Sequence, residues 1–296
     1  MLNFNDKPKI KKISYKHKEF TKCPVCSNEF LREEMLTGGG RLIAGKLTDE
    51  LRRLYEKNEK FGKIYPLAYL VTVCPKCLFA TFQKDIDKLT PEEITKLAGT
   101  SEARMNSLRK YFGDASFDNE RDLLLGAASY MLAVDCYGFR GANVAPVIKK
   151  AVSSIRAAWL FSDLAKETSN NLYKRFSDFF YMKAYKFYLD SMNLLQSGKE
   201  NLEDAGHIGP DAEKNWGYDG ILYMCAVLTI KFGINEKDIQ KRIKNFETTR
   251  IYLSRLFGSG KASKSKPGHL IDMIRNLYDK INEMLDEYYK ELGGQK

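Results

Sequence analysis

Cysteine is the residue type in this chain best suited to chemistry, and four of the six cysteines form two short pairs. The pairs are Cys23-Pro-Val-Cys26 and Cys74-Pro-Lys-Cys77. Two cysteines separated by two residues can point both thiolates at one ion from a tight turn, and proline presets the backbone of that turn. Two such turns complete a tetrahedral shell of sulfurs at about 2.3 Å from a Zn²⁺ ion. The spacing therefore predicts one structural zinc ion per chain, bound by Cys23, Cys26, Cys74 and Cys77.

Other uses of paired cysteines fit this sequence less well. A disulfide is disfavoured in a cytoplasmic protein, because the cytoplasm keeps thiols reduced. A thioredoxin-like redox motif needs a Cys-x-x-Cys at a helix start within a βαβ pattern, and neither pair has that context. Four thiolates also close the coordination sphere of the metal, so we expect no catalytic role for the ion. The remaining cysteines, Cys136 and Cys225, lie singly in apolar helical patterns and are expected in the core.

No catalytic motif is found elsewhere in the sequence. His17, His207 and His269 are dispersed, and none of them falls within ligand spacing of a carboxylate pair. The run Gly38-Gly39-Gly40-Arg41 lacks the Gly-Lys-Ser/Thr ending of a phosphate-binding loop, so it predicts a hairpin or a flexible turn. We therefore expect a protein that is not an enzyme.

Predicted strands position both cysteine pairs within residues 1–90. A period of two in polarity indicates a strand over Lys12–Phe20, and a short helix is predicted over Asp49–Lys60. The 47 residues between the pairs form an insertion, across which a sheet must bring the two turns together. This layout predicts a small β domain of the zinc-ribbon type. Its other strands are predicted at Glu29–Leu36, Ala68–Val73 and Leu78–Phe82.

Residues 91–296 have helical patterns throughout. Thr90-Pro91-Glu92-Glu93 is a complete helix start signal, with Thr90 as the cap and Glu93 reaching back to it. Modest loops between the helices predict antiparallel helical hairpins stacked in a tetratricopeptide-like domain, and we expect residues 91–292 to fold independently. Further helices are predicted at Ser101–Phe112, Asp118–Tyr137, Pro146–Glu167, Asn171–Gln196, Asp211–Phe232, Glu236–Phe257 and Pro267–Leu292.

The composition agrees with a soluble, mainly α protein of two domains. The chain has 296 residues, of which 44% are apolar and 29% charged. Its longest nearly apolar run, Ile221–Ile230, is shorter than the roughly 18 residues that a membrane span needs. The N-terminus lacks the apolar core of a signal peptide. We therefore expect a cytoplasmic protein with no transmembrane segment.

The helix predicted at residues 171–196 is rich in aromatic residues and offers a candidate binding surface. Phe176, Phe179 and Phe187 follow the i, i+3/i+4 spacing of a core-facing stripe. Lys174, Tyr181, Tyr185 and Tyr188 are then left as candidates for a groove that binds a partner. The competing interpretation is that these tyrosines pack at the edge of the core.

Four segments resemble a known family when they are taken in order along the chain. They are the first Cys-Pro-x-Cys pair, residues 65–80 (Tyr-Pro-Leu-Ala-Tyr-Leu-Val-Thr-Val-Cys-Pro-Lys-Cys-Leu-Phe-Ala), residues 157–161 (Ala-Ala-Trp-Leu-Phe) and residues 221–224 (Ile-Leu-Tyr-Met). Over nearly the whole chain they are similar to a bacterial family of uncharacterised proteins, domain of unknown function 2225. The resemblance implies a two-knuckle zinc ribbon with the four cysteine ligands, a tetratricopeptide-like helical domain and no established reaction. Leu78 stands where that family usually has glycine, which predicts strain in the second knuckle.

Two functions from different classes follow as expectations. The first is a non-enzymatic scaffold or adaptor that binds a protein or peptide on its helical layer, because stacked hairpins form extended surfaces. The alternative is nucleic-acid binding through the N-terminal region, since residues 1–90 contain 18 basic and 11 acidic residues within a chain of net charge +10. The identity of the partner and the oligomeric state are left open. The basic residues in question are Lys7, Lys9, Lys11, Lys12, Lys16, Lys18, Lys22, Arg41, Arg52 and Arg53.

Overall fold

The structure, a computed structural model, describes residues 14–35, 40–212, 214–257 and 268–294. Within these residues the N-terminal part contains three two-stranded antiparallel hairpins. A cysteine pair lies in the turn of the first and of the third hairpin, so the predicted order of strand, knuckle and strand is confirmed twice. The strands are β1 (Lys16–Lys22), β2 (Glu29–Glu33), β3 (Ile43–Leu47), β4 (Arg53–Glu56), β5 (Val71–Val73) and β6 (Ala80–Phe82).

The second hairpin, β3–β4, replaces the helix predicted over Asp49–Lys60, and that prediction is wrong. Apolar residues in this segment have helical spacing, but the chain turns sharply at residues 48–52, which we call the hairpin tip. The Thr48 hydroxyl accepts a hydrogen bond from the backbone N–H of Arg52 (3.1 Å), and Leu51 adopts a left-handed φ of 58°. Leu51 is fully buried, so tertiary packing overrides the local helical pattern.

The described chain beyond residue 90 is helical, which confirms a mainly α fold with a small β region at the N-terminus. The first helix begins at the predicted capping box. The Thr90 hydroxyl accepts a hydrogen bond from Glu93 N (3.3 Å), and the Glu93 carboxylate accepts one from Thr90 N (2.9 Å). The helices are α1 (Pro91–Gly99), α2 (Ser101–Phe112), α3 (Leu123–Cys136), α4 (Pro146–Thr168), α5 (Asn171–Gln196), α6 (Leu202–Ala205), α7 (Gly217–Phe232), α8 (Ile239–Phe257) and α9 (Gly268–Gly294).

Long helices that follow one another in sequence lie side by side. Helix α3 packs on α4, α4 on α5, α5 on α7, α7 on α8, and α8 on α9. This order agrees with the expected stack of helical hairpins, and its tetratricopeptide-like character stays a prediction. Helix α4 packs between α3 and α5 and is buried along most of its length.

One buried core extends across residue 90 and joins the hairpins to the helices. Gly126 on α3 lies against the turn before β5, where a Cβ atom would stand 2.5 Å from the Cβ of Ala68. Only glycine allows so close an approach. The buried ion pair between Glu33 of β2 and Arg121 (3.2 Å) crosses the same boundary. This shared core argues against independent folding of residues 91–292, a point that truncation tests.

A second buried ion pair strengthens the same junction. The Asp85 carboxylate, just after β6, accepts hydrogen bonds from the Lys149 ammonium of α4 and from the Tyr137 hydroxyl (2.6 Å). Burial lowers the pKa of Lys149, while Asp85 acts in the opposite direction. Breaking such a pair leaves a buried charge without its partner, which destabilises proteins by about 3–5 kcal/mol.

Helix α7 is apolar enough to be compared with a membrane span. In the described part of the chain, Gly217–Asn235 is the helical segment whose length and composition meet that test. Inside the fold, 67% of the segment is buried. This burial places α7 in the core of the fold.

Candidate metal centre

The first cysteine pair forms a tight turn between β1 and β2, which we call the first knuckle (residues 23–28). The backbone N–H of Cys23 donates to the carbonyl of Asn28 (2.8 Å), and the N–H of Ser27 donates to the carbonyl of Cys23 (2.9 Å). Ser27 adopts a left-handed φ of 58°. This curvature brings the thiols of Cys23 and Cys26 to the same side of the turn.

The second cysteine pair repeats this geometry between β5 and β6, in the second knuckle (residues 74–79). The N–H of Cys74 donates to the carbonyl of Phe79 (2.9 Å), and the N–H of Leu78 donates to the carbonyl of Cys74 (2.9 Å). Leu78 adopts a left-handed φ of 55°, as Ser27 does in the first knuckle. A β-carbon is unfavourable in this conformation, which bears out the expected strain at Leu78.

The two knuckles face each other and bring four sulfur atoms together. All four Sγ atoms lie within 4.8 Å of one another, and no other group of His, Cys, Asp and Glu among the described residues could hold a metal. The Cys23–Cys77 and Cys26–Cys74 sulfurs are each 3.6 Å apart, and none of these cysteines forms a disulfide. Four sulfurs at about 2.3 Å from a central ion stand about 3.8 Å apart in a tetrahedron. The arrangement therefore fits a metal ion with four thiolate ligands.

The pKa values of these thiols indicate why a cation is needed for all four of them to be thiolates. Hydrogen bonds from Cys23 and Cys77 lower the pKa of the Cys74 thiol. The contact with Cys74 raises the pKa of Cys23, and the contacts with Cys23 and Cys74 raise the pKa of Cys77, because a thiol keeps the proton that it donates. Without a metal, Cys74 thus favours the thiolate beside protonated thiols at Cys23 and Cys77. A bound cation instead stabilises thiolates at all four positions.

Two buried residues outside the knuckles support the second knuckle. Sequence patterns do not assign either of them to the metal site. The guanidinium of Arg104, on α2, donates to the Cys77 carbonyl (3.0 Å) and to the Leu97 carbonyl (2.7 Å). Cys136, on α3, accepts a hydrogen bond at Sγ from Ala80 N (3.4 Å). Burial raises the pKa of Cys136 to about 11, so this thiol is neutral. Arg104 lies in an ordinary helical pattern, so its spacing carries no signal of this role.

The insertion between the knuckles supplies a further polar contact with the helices. The buried Glu50 carboxylate at the hairpin tip accepts hydrogen bonds from the indole N–H of Trp159 and from the Tyr181 hydroxyl (2.9 Å). It also forms an ion pair with Lys231 of α7 (2.6 Å). One carboxylate thus joins α4, α5 and α7 to the N-terminal region. These partners are more than 100 residues away in sequence, which local patterns do not reveal.

The structure corrects two of the four residues expected to line a groove on α5. Tyr188 and Tyr185 are only 1% and 8% exposed and belong to the core, because α5 packs between α4 and α7. Tyr181 is partly buried beneath the hairpin tip. Lys174 is exposed and pairs with Asp178 one turn along the helix. Conversely, Phe179 was expected in the core and is 53% exposed.

The basic residues of the N-terminal region do not converge on one surface in the described part of the chain. Lys16, Lys18 and Lys22 are exposed along β1, whereas the Arg52 guanidinium pairs with Asp163 of α4. Arg53 donates to the Gly45 carbonyl within its own hairpin. The lysines at positions 7, 9, 11 and 12, the glycines at 38 and 39 and the side chain of residue 269 lie outside the described residues.

Comparison with known proteins identifies relatives along most of the chain. Residues 16–281 match the family described as uncharacterized protein conserved in bacteria (DUF2225). An uncharacterized protein of Borreliella burgdorferi is 40% identical over 275 residues, which cover 93% of this chain and 98% of that protein. No solved structure matches this chain. The family match spans both knuckles and the helices as far as the middle of α9.

Proposed function

This chain belongs to the bacterial DUF2225 family, and from that premise we propose that it is a non-enzymatic scaffold or adaptor whose fold is organised by one structural zinc ion. The observation that carries the proposal is the closed group of four cysteines between two knuckles. The group holds the ribbon in place, and the stacked helices beside it offer surface for a protein partner. We also propose a cytoplasmic location, where thiols stay reduced.

The donor set supports zinc as the metal. Four thiolates in a tetrahedral arrangement select zinc or an iron–sulfur cluster. Two Cys-x-x-Cys pairs that bring their sulfur atoms this close together are typical of a zinc ribbon with a single ion. Cys23, Cys26, Cys74 and Cys77 would hold the ion, which supplies folding energy and not a reactive water. Metal analysis of protein purified without added metal should give one zinc per chain. Protein free of metal, with four freely titratable thiols, contradicts the assignment.

The placement of the polar residues supports a role without catalysis. Three of the buried charged contacts described above, at Glu33, Glu50 and Asp85, connect the hairpins to the helices. Each carboxylate is occupied by a partner from the chain itself, as expected for groups that stabilise the fold. The four-sulfur group likewise leaves no open coordination position for a substrate.

Photocrosslinking in the native cell tests the scaffold function. A photoreactive amino acid is placed at exposed positions of α5 and, as a control, at the exposed residue Ile43 of β3. A scaffold predicts discrete crosslinked species from helical positions and none from the control. If no position on any helix gives a discrete crosslinked protein, the proposed function is wrong.

A specific observation favours nucleic-acid binding as a second candidate. Phe20 on β1 is 68% exposed and lies between the exposed residues Lys18 and Lys22. An aromatic ring flanked by cations is the arrangement on which unpaired bases stack. Titration of a single-stranded oligonucleotide at several salt concentrations tests this candidate, with Phe20→Ala as the matched variant. Binding that falls steeply with salt and is weakened by that variant supports the candidate, and binding that the variant leaves unchanged contradicts it.

A further inference from the structure

An apolar groove opens on the surface between α2, α3 and α5, and we call it the aromatic groove. Its volume is about 570 Å³. Tyr111 of α2, Met131 of α3 and three phenylalanines of α5, at positions 176, 179 and 180, line it. The rings of Tyr111 and Phe176 meet edge to face with their centroids 5.1 Å apart. The groove is therefore a surface of packed aromatic rings and not a gap between polar loops.

Two of these rings are left open to solvent. Phe179 is 53% exposed and Tyr111 is 40% exposed, from facing sides of the groove. Exposed aromatic side chains grouped around a concavity are typical of surfaces that bind another molecule. Tyrosine and phenylalanine also supply large contact areas at a small cost in side-chain entropy.

Asp135 of α3 and Arg175 of α5 are exposed charged side chains that line the groove. Arg175 forms no ion pair or hydrogen bond within the described residues, whereas the carboxylate of Asp135 interacts electrostatically with the buried guanidinium of Arg104, which also lines the groove. Burial raises the pKa of Asp135, and Arg104 acts in the opposite direction. The guanidinium of Arg175 is exposed and available to a carboxylate.

The remaining charges around the groove are positive. The Lys110 ammonium lies 5.4 Å from the centroid of the Tyr111 ring, and the Lys183 ammonium lies 5.4 Å from that of Phe179. Arg104 already faces Asp135, so Arg175 and these two lysines are three further cations around the groove. The complementary ligand is therefore apolar and acidic.

We propose that the aromatic groove is the docking site for a segment of a partner protein that presents large apolar side chains and acidic residues toward Arg175. The proposal rests on the proposed scaffold function and names the surface that performs it. The apolar side chains pack against Phe179 and Tyr111. The position of Arg175 on one side of the groove fixes where the acidic residues of the segment lie.

Selection from a displayed library of random 16-residue peptides on the zinc-loaded full chain tests this site. We expect enriched peptides to combine aromatic or leucine anchors with acidic residues. Binding of an enriched peptide is then measured by fluorescence polarisation. Phe179→Ala should weaken it at least tenfold, and Arg175→Glu should weaken acidic peptides and, in a repeated selection, enrich basic ones.

Matched controls separate binding from folding. Lys186→Glu changes an exposed charge on the same helix outside the groove, and Ile251→Ala removes an exposed apolar side chain from α8. Both controls should bind the peptide like the parent, and all variants should melt like the parent. Three outcomes overturn the proposal: no enriched sequence, binding that Phe179→Ala and Arg175→Glu leave intact, or a dimer that Phe179→Ala dissociates. Each leaves the scaffold function standing if crosslinks to other proteins form elsewhere on the helices.

Discussion

The two knuckles have the same backbone geometry and very different surroundings. Each has the same pair of hydrogen bonds and a left-handed residue after its second cysteine. In the first knuckle that residue, Ser27, is exposed, whereas Leu78 and the following Phe79 are buried in the second. The second knuckle is also held by Arg104 from α2, and none of the described residues outside the first knuckle donates in this way to Cys26.

This difference indicates which of the two knuckles depends on the metal for its position. The second knuckle is part of the main core, and protein contacts keep it in place. The first hairpin packs Cys23 and Phe30 against that core but leaves Ser27 exposed, and a two-stranded hairpin is marginally stable alone. The metal thus attaches a peripheral hairpin to a hairpin that is already fixed.

Truncation should show the largest effect. A fragment of residues 91–296 loses the second knuckle and the turn that packs on Gly126, so we expect no cooperative thermal transition. A fragment of residues 36–296 keeps both, loses the metal, and should still melt cooperatively at a lower temperature. Circular dichroism melts compare the two fragments. A cooperative melt of the shorter fragment would show that the helices have a core of their own.

Loss of the metal should have the second-largest effect, and this effect should differ between the hairpins of the two knuckles. Binding free energies at structural zinc sites are about 10–16 kcal/mol, so Cys23→Ser and Cys74→Ser should both abolish tight metal binding. In either variant, hydrogen exchange should become fast in β1 and β2 while β5 and β6 stay protected. Cys225→Ser, far from the site in sequence, serves as the control. Equal loss of protection in both hairpins would contradict the distinction between the knuckles.

Removal of the Arg104 guanidinium should affect the second knuckle and the junction of α1 with α2, and leave the first knuckle intact. Arg104→Met leaves the Cys77 and Leu97 carbonyls without their donor, and we expect a loss of about 3 kcal/mol in the free energy of unfolding, the scale of hydrogen bonds to a charged group. Arg109→Met changes an exposed arginine on the same helix and should change stability little. Urea denaturation of both zinc-loaded variants provides the comparison. Equal midpoints would assign no role to the contact with Cys77.

Glycine at the left-handed position of the second knuckle should be harmful despite the strain there. Leu78→Gly relieves about 1–2 kcal/mol of backbone strain but removes a buried side chain whose loss costs about 2–5 kcal/mol. We expect a net loss of about 2 kcal/mol in the free energy of unfolding. An increase in stability would show that strain outweighs packing at Leu78.

The same change in the first knuckle should have the smallest effect and the opposite sign. Ser27→Gly relieves similar strain and removes an exposed side chain, so we expect a gain of up to about 1 kcal/mol after the entropy cost of glycine. Ser27→Ala keeps the β-carbon and should show no gain. Thermal melts of the two variants measure this difference, and a loss in Ser27→Gly would rule out relief of strain at this position.

Sequence patterns predicted those features that depend on neighbours along the chain. The metal ligands follow from Cys-Pro-x-Cys spacing, and the start of α1 follows from Thr90 and Glu93, because both depend on the geometry of a few consecutive residues. The hairpin tip was missed for the opposite reason. Its conformation is stabilised by the burial of Leu51 and by contacts of Glu50 with three distant helices.

The surface of α5 shows the same limit. Tyr185 and Tyr188 carry hydroxyl groups that suggest a hydrated position, but α5 has neighbours on two sides, and the position of α7 decides which residues are buried. Phe179 faces outward for the same reason. Helical spacing identifies residues that share a face, whereas the packing partner decides whether that face is covered.

The contacts of the hairpin tip with residues far along the chain also have a consequence for synthesis on the ribosome. Cys23 and Cys77 are 54 residues apart, so all four thiols emerge early and can take up metal while translation continues. Lys231 follows Glu50 by 181 residues, which at about 5–20 residues per second is a delay of about 10–40 s. During that interval Trp159 and Tyr181 are synthesised first, and the Glu50 carboxylate stays without its cationic partner until Lys231 follows. A chaperone that shields apolar and acidic segments would bind the nascent chain in this interval, after metal uptake and before α7 is synthesised.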